Sequence, residues 1–392
     1  MKIKLINKRY KTYLATIILI TLIIEIFMDF GSKSYQTEMI FGAKHKILDR
    51  QCNELGQTRG FTNWFFICLS KDVFSFIGQN EVTDYESLKL DQGNKPIPIN
   101  FAERIIPFAV GIAILPATYL ATISITSKKS TALITTTLTA IHPVYLIFNS
   151  SQYFAQTWVL FLILSIWLLN KNIKSSMALL ILSVFAKALS LLYIPAMILS
   201  LKNIKEKLIY TSIIPIIIII GITSIQLTGS NLVTSENFFM NYFSFNIPKF
   251  DLVYEERTIE PTIFNKDQLH FIIPVVKSIY TLGFAWNFTS ILIPFLLFYL
   301  YRKEQPKKIF WFLLVIIMTI LLLPIFTPQF YFAHRTLPFV IFINMGMALI
   351  INNYLLEKKI LKSIGLFSIA IIQYLVLIFY AWNGTNFNIL IW

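Results

Sequence analysis

The stretch Tyr13-Leu14-Ala15-Thr16-Ile17-Ile18-Leu19-Ile20-Thr21-Leu22-Ile23-Ile24-Glu25-Ile26-Phe27-Met28-Asp29-Phe30-Gly31 decides how every later segment is read. As a helix, the roughly 17 residues from Tyr13 to Asp29 are long enough to cross a bilayer core. Lys2, Lys4, Lys8, Arg9 and Lys11 precede them. By the positive-inside rule the N-terminus is therefore cytoplasmic, Asp29 reaches the far interface, and Glu25 lies about one turn deeper. Ionisable groups at that depth are costly and by default mark function, although a carboxylate that merely ends a helix at the water line is the plainer alternative. The basic flank resembles the n-region of a signal peptide. The apolar run is longer than a usual h-region, however, and no small-residue cleavage site follows it, so we expect a retained first span.

Composition supports this reading outward from the first run. Of 392 residues, 56% are hydrophobic and only 14% charged, and the mean hydropathy is +0.66. That is too apolar for an ordinary soluble domain and predicts an all-α polytopic membrane protein occupying 1–392 as a single transmembrane domain. The net charge of +14 does not point to nucleic acid, because its Lys and Arg residues sit in short segments between apolar runs rather than on one soluble face.

The charged segments set the expected topology. After the first span, residues 30–103 form an extracytoplasmic loop. Within it, Gly60 to Phe74 is aromatic-rich but broken by Lys71 and Asp72, and reads as a helix lying in the interface. Cys52 and Cys68 share that loop, leaving open either a disulfide or two separate thiols. Spans are expected at roughly 104–126, 130–149 and 153–170, with Ser127-Lys128-Lys129 and Lys171-Asn172-Ile173-Lys174 as cytoplasmic turns. Residues 175–200 are flanked by lysines on both sides, carry Lys187 near their centre and are followed within the run by Pro195. A re-entrant hairpin of two half-helices satisfies both flanks, since irregular backbone is tolerated at depth where protein covers it. Roughly 208–227 then crosses to a second external loop, 228–278, with acidic points at Asp251, Glu255, Glu256 and Glu260. Spans near 279–301, 309–326, 337–352 and 363–382 complete about nine crossings and leave the C-terminus outside.

The outer side then collects Asp29, Glu38, Asp49, Arg104, His142, His334 and Arg335, with Lys187 approaching from the hairpin. A carboxylate that takes a hydroxyl proton and cations that neutralise a phosphate leaving group are what transfer from a lipid phosphate donor requires. No GxxxxGK[ST], HExxH or CxxC motif is present, so energy for any chemistry must come with the substrate. The residues demand no cofactor or metal ligand set, and a divalent cation is left open.

Several short motifs carry a family resemblance. Arg104-Ile105-Ile106-Pro107 through Ala117-Thr118-Tyr119, Lys128-Lys129-Ser130-Thr131-Ala132-Leu133 and Ala140-Ile141-His142-Pro143-Val144 resemble spans two and three of the GT-C superfamily of polyprenyl-phosphate-sugar-dependent glycosyltransferases, of the protein-mannosyltransferase and aminoarabinose-transferase kind. Phe185-Ala186-Lys187-Ala188-Leu189-Ser190-Leu191-Leu192-Tyr193-Ile194-Pro195 is similar to that superfamily's half-helix pair, and Tyr331-Phe332-Ala333-His334-Arg335-Thr336-Leu337-Pro338 to the opening of one of its late spans.

The resemblance implies a GT-C-like bundle with interfacial helices in the first external loop. It implies Asp29 as catalytic base with Glu25 as a second acid, and Arg335, Lys187 and Arg104 as contacts to the donor phosphate. His142, His334, Glu38 and Asp49 are further candidates for the same pocket. The implied partners are a lipid-linked sugar donor, membrane lipids and a glycan, lipid or protein acceptor, with no nucleic acid. The family's adjacent pair of acids is reduced here to Asp29, and Trp286-Asn287 is the nearest echo of the WWDxG signature. No large soluble C-terminal domain follows, which favours single-sugar transfer. The alternatives are a polysaccharide polymerase of the EpsG or O-antigen type, faintly resembled by Phe148 to Gln156, and a lipid-linked saccharide transporter or flippase.

Overall fold

The computed structural model describes residues 2–28, Phe66, Leu69, Val73, Phe74, and residues 101–148, 156–228, 288–302, 307–326 and 337–382. Among these the chain is all-α: thirteen α-helices, one 3₁₀ segment and no strand. They are α1 (Lys2–Met28), α2 (Phe101–Thr126), α3 (Lys129–Ala140), α4 (Pro143–Phe148), α5 (Thr157–Leu168), α6 (Ile173–Ala186), the 3₁₀ segment (Ala188–Tyr193), α7 (Ile194–Ser200), α8 (Ile204–Thr211), α9 (Ile213–Thr228), α10 (Phe288–Arg302), α11 (Lys307–Phe326), α12 (Leu337–Leu356) and α13 (Ile360–Trp382). Among the described residues, Ile105–Thr126 and Leu337–Leu356 are long and apolar enough to cross a membrane.

Two segments expected as single helices are broken, and proline chemistry explains where. The run 130–149 divides into α3 and α4 because Pro143 lacks an N–H and disfavours helical backbone at His142. The run 208–227 divides at Ser212, where the ring of Pro215 would meet the carbonyl of Thr211 and cannot donate to it. The run 175–200 breaks at Lys187, whose backbone is extended (φ −160°, ψ 121°), and resumes through the 3₁₀ segment into α7, with Pro195 in its first turn.

The core is built around α12. Every residue from Leu337 to Leu349 is buried, as expected for a helix apolar on all sides, and α2, α3, α4, α5, α10, α11 and α13 pack against it. Phe342 stacks on Phe312 of α11 with centroids 4.4 Å apart. Gly346 faces α10 and α11, where an added Cβ would meet Leu296 Cδ1 at 3.4 Å and Leu313 Cδ1 at 3.5 Å, ordinary contact distances. The Thr-rich α3 is buried between α1, α2 and α12 even though five of its twelve residues are threonine. Thr135, Thr136 and Thr137 each return their hydroxyl to the carbonyl one turn back at 2.9 Å, so these polar groups need no outside partner.

The lysine-bearing turns gather at one end of the bundle. Lys128 Nζ donates to Asn353 Oδ1 at 3.0 Å, Asn353 Nδ2 donates to Tyr299 Oη at 3.3 Å, and Ser124 Oγ donates to the Trp167 carbonyl at 3.2 Å. These contacts bring the α2–α3, α5–α6 and α12–α13 turns and the end of α10 together. Lys171 lies over the Trp167 ring at 4.5 Å. Burial, and then the nearby charge of Lys202, hold the Lys308 ammonium below its ordinary pKa, which ties the α7–α8 and α10–α11 connections to the same end.

Candidate functional site

The segment around Lys187 is built from paired hydroxyls. Helices α5 and α6 run antiparallel, and Ser165 Oγ and Ser176 Oγ donate to each other's backbone carbonyls at 2.7 and 2.8 Å. With both serine protons used, the single Tyr210 hydroxyl proton is shared between Ser176 Oγ (3.2 Å) and Met197 Sδ (3.4 Å). Tyr210 therefore joins the start of α6 to α7, while near the other end Ser183 Oγ meets Ser190 Oγ at 2.6 Å. The chain doubles back between these two ties. Ser183 also donates to the Trp158 carbonyl at 2.6 Å, so the proton between the two serines comes from Ser190.

Lys187 is the turning point. Fourteen helical residues of α6 separate it from the lysine-rich end, a rise of about 21 Å. Its partly buried ammonium lies 5.5 Å from the centre of the Trp158 ring, within cation–π range. Other buried polar groups lie on the helix that carries that ring and on the 3₁₀ segment that follows Lys187. Thr157, Trp158 and Tyr193 are at most 1% exposed, yet among the described residues Thr157 Oγ1, Trp158 Nε1 and Tyr193 Oη have no hydrogen-bond partner. Each such group costs about 1–3 kcal/mol, and a native cluster of them calls for an explanation.

His142, the other polar residue at a helix break, is satisfied differently. It is buried, and its Nδ1 accepts the Val144 N–H at 3.2 Å, which caps the start of α4 and leaves Nε2 as the protonated nitrogen of the neutral ring. The ring meets Tyr374 edge-on at 4.6 Å. Tyr374 Oη donates to Asn344 Oδ1 at 2.9 Å, and Asn344 Nδ2 reaches Thr139 Oγ1 at 3.4 Å. The Tyr193 ring packs instead on Phe339 and Phe342, both at 5.9 Å. At about 100° per residue, Phe339 and Phe342 stand on nearly the opposite side of α12 from Asn344. The networks of His142 and Lys187 thus engage different faces of the central helix.

Glu25 is 4% exposed on α1, which packs against α2 and α3. Arg104 lies in the first turn of α2. Asp29, Glu38, Asp49, His334 and Arg335 lie outside the described residues, as do Cys52, Cys68, the loop 229–278 and most of 60–74. Phe66, Leu69 and Val73 are helical, and the Phe66 ring lies 6.0 Å from that of Phe161. From the sequence, Thr157, Trp158 and Ser183 are not candidates, and Ser190 and Tyr193 appear only as members of the 185–195 motif, with no role of their own. The polar run Gln156-Thr157 opening an apolar helix was the available signal.

Among the described residues no group of three or more His, Cys, Asp or Glu side chains is placed to hold a metal ion. No protein-family model, curated protein or solved structure matches the chain.

Proposed function

We propose that the chain is a multi-pass membrane glycosyltransferase of the GT-C kind. It moves a sugar from a polyprenyl-phosphate donor to a glycan, lipid or protein acceptor on the extracytoplasmic face. The reading includes about nine crossings, a re-entrant hairpin over 175–200, a cytoplasmic N-terminus and an extracytoplasmic C-terminus. The observation that carries it is Lys187, an ammonium at a helix break about 21 Å from the lysine-rich end, beside buried polar atoms that lack partners. The gathering of basic turns at one end supports a cytoplasmic face there.

In this reaction Asp29 takes the acceptor hydroxyl's proton as its oxygen attacks the anomeric carbon. The bond from that carbon to the phosphate oxygen breaks, and Lys187, Arg335 and Arg104 neutralise the charge left on the phosphate. Glu25 serves as a second acid.

The test is transfer of labelled sugar from a polyprenyl-phosphate donor in reconstituted membranes. Asp29→Asn is expected to lower transfer at least about 1,000-fold while the protein remains membrane-inserted and folded. Full transfer by that variant removes Asp29 as base. Movement of the donor across the bilayer without transfer by the wild-type chain instead supports the flippase alternative.

A further inference from the structure

We propose that the N-terminal end of α5, with Thr157, Trp158 and Lys187, is a binding site for a phosphate group. The inference extends the reading of Lys187 as a phosphate contact and does not depend on Asp29. Helix α5 has twelve residues and opens at Gln156, whose side chain gives no capping hydrogen bond. The amides of Val159 and Leu160 close on the Gln156 carbonyl at 2.9 and 3.1 Å, whereas those of Thr157 and Trp158 have no carbonyl one turn back within the helix. Such an end presents N–H donors and the positive pole of the helix to an anion.

The side chains supply independent support. Thr157 Oγ1 and Trp158 Nε1, in the first turn of the same helix, are buried without a partner among the described residues. Trp158 Nε1 can only donate, and the Thr157 hydroxyl can donate. Lys187 brings positive charge to the Trp158 ring from the hairpin tip. Two buried groups able to donate, beside a cation and at the start of a helix, describe an anion site.

A phosphate group can arrive free or as a lipid headgroup, and two probes separate these sources. Equilibrium dialysis of the purified full chain against radiolabelled inorganic phosphate reads the first. Capture of radiolabelled phosphatidic acid from phosphatidylcholine nanodiscs reads the second. We expect Thr157→Val and Lys187→Met each to weaken binding about tenfold or more, and Thr157→Ser to restore it to within about threefold of wild type. That pattern with inorganic phosphate supports a site for the free anion; the pattern with phosphatidic acid alone supports a headgroup site. Absence of binding to both probes overturns the proposal, as does binding that neither Thr157→Val nor Lys187→Met alters. Thr157→Val changes only a hydroxyl for a methyl, and its thermal unfolding profile checks that it folds. Asp29→Asn should bind phosphate within about twofold of wild type while losing transfer. A wild-type chain that binds phosphate but transfers no sugar overturns the glycosyltransferase reading and leaves this site standing.

Discussion

Of the breaks that interrupt apolar runs in this bundle, the one at His142 and the one at Lys187 each place an ionisable side chain inside it. At the first, the histidine satisfies the break: Nδ1 caps α4 and the ring rests on Tyr374, whose hydroxyl is held by Asn344. At the second, the backbone is held by Ser183, Ser190 and Tyr210, while buried donors on the neighbouring helix are left unmatched. A polar residue at depth is therefore not itself a mark of function. What distinguishes the second break is that Trp158, whose ring lies against Lys187, leaves its Nε1 without a partner among the described residues.

The comparison can be broken at several points. The largest contrast is in sugar transfer, where Lys187→Met is expected to lose about 100-fold or more and His142→Gln to stay within about threefold. Equal losses in the same donor-transfer assay would put both residues in one site and end the distinction. In stability the order reverses. His142→Ala removes the acceptor for the Val144 N–H and the ring contact with Tyr374, and should cost about 1–2 kcal/mol, read as a fall of a few degrees in the unfolding midpoint of the detergent-solubilised protein.

Ser183→Ala sharpens the other side. It leaves the Trp158 carbonyl and Ser190 without their shared partner, with an expected cost of about 1 kcal/mol. Because Ser183 positions the turn that carries Lys187, transfer should fall with stability, chiefly through weaker apparent donor affinity. Tyr374→Phe is the smallest change. Losing the hydrogen bond to Asn344 should cost about 0.6 kcal/mol and leave transfer unaltered. A large loss of transfer in Tyr374→Phe would bring the His142 network into the chemistry.

The run 130–149 was expected as one span despite Pro143, whereas the break at Lys187, a lysine amid apolar residues followed by Pro195, was legible in the sequence. The roles of the surrounding residues were not. Thr157, Trp158 and Tyr193 read as ordinary members of apolar runs, and their significance lies in partners they lack, which depends on elements distant in the chain. Thr135, Thr136 and Thr137 of α3 show the converse: hydroxyls inside an apolar run are buried because each bonds to the carbonyl one turn back.

Hydropathy and charge spacing by themselves determined that the chain is helical, where most apolar segments lie and which turns carry lysine, because helix formation and the cost of burying charge are local properties. Only the tertiary structure decided which helix became the centre. Leu337–Leu356 and Ile360–Trp382 are both long and apolar, yet the first is buried on every side from Leu337 to Leu349 while the second exposes Leu361, Ile364, Ile369, Ile372, Leu375 and Val376. Burial all round is a property of neighbours. The same holds for the two breaks, since whether a polar atom is satisfied depends on what other segments bring within hydrogen-bond distance of it.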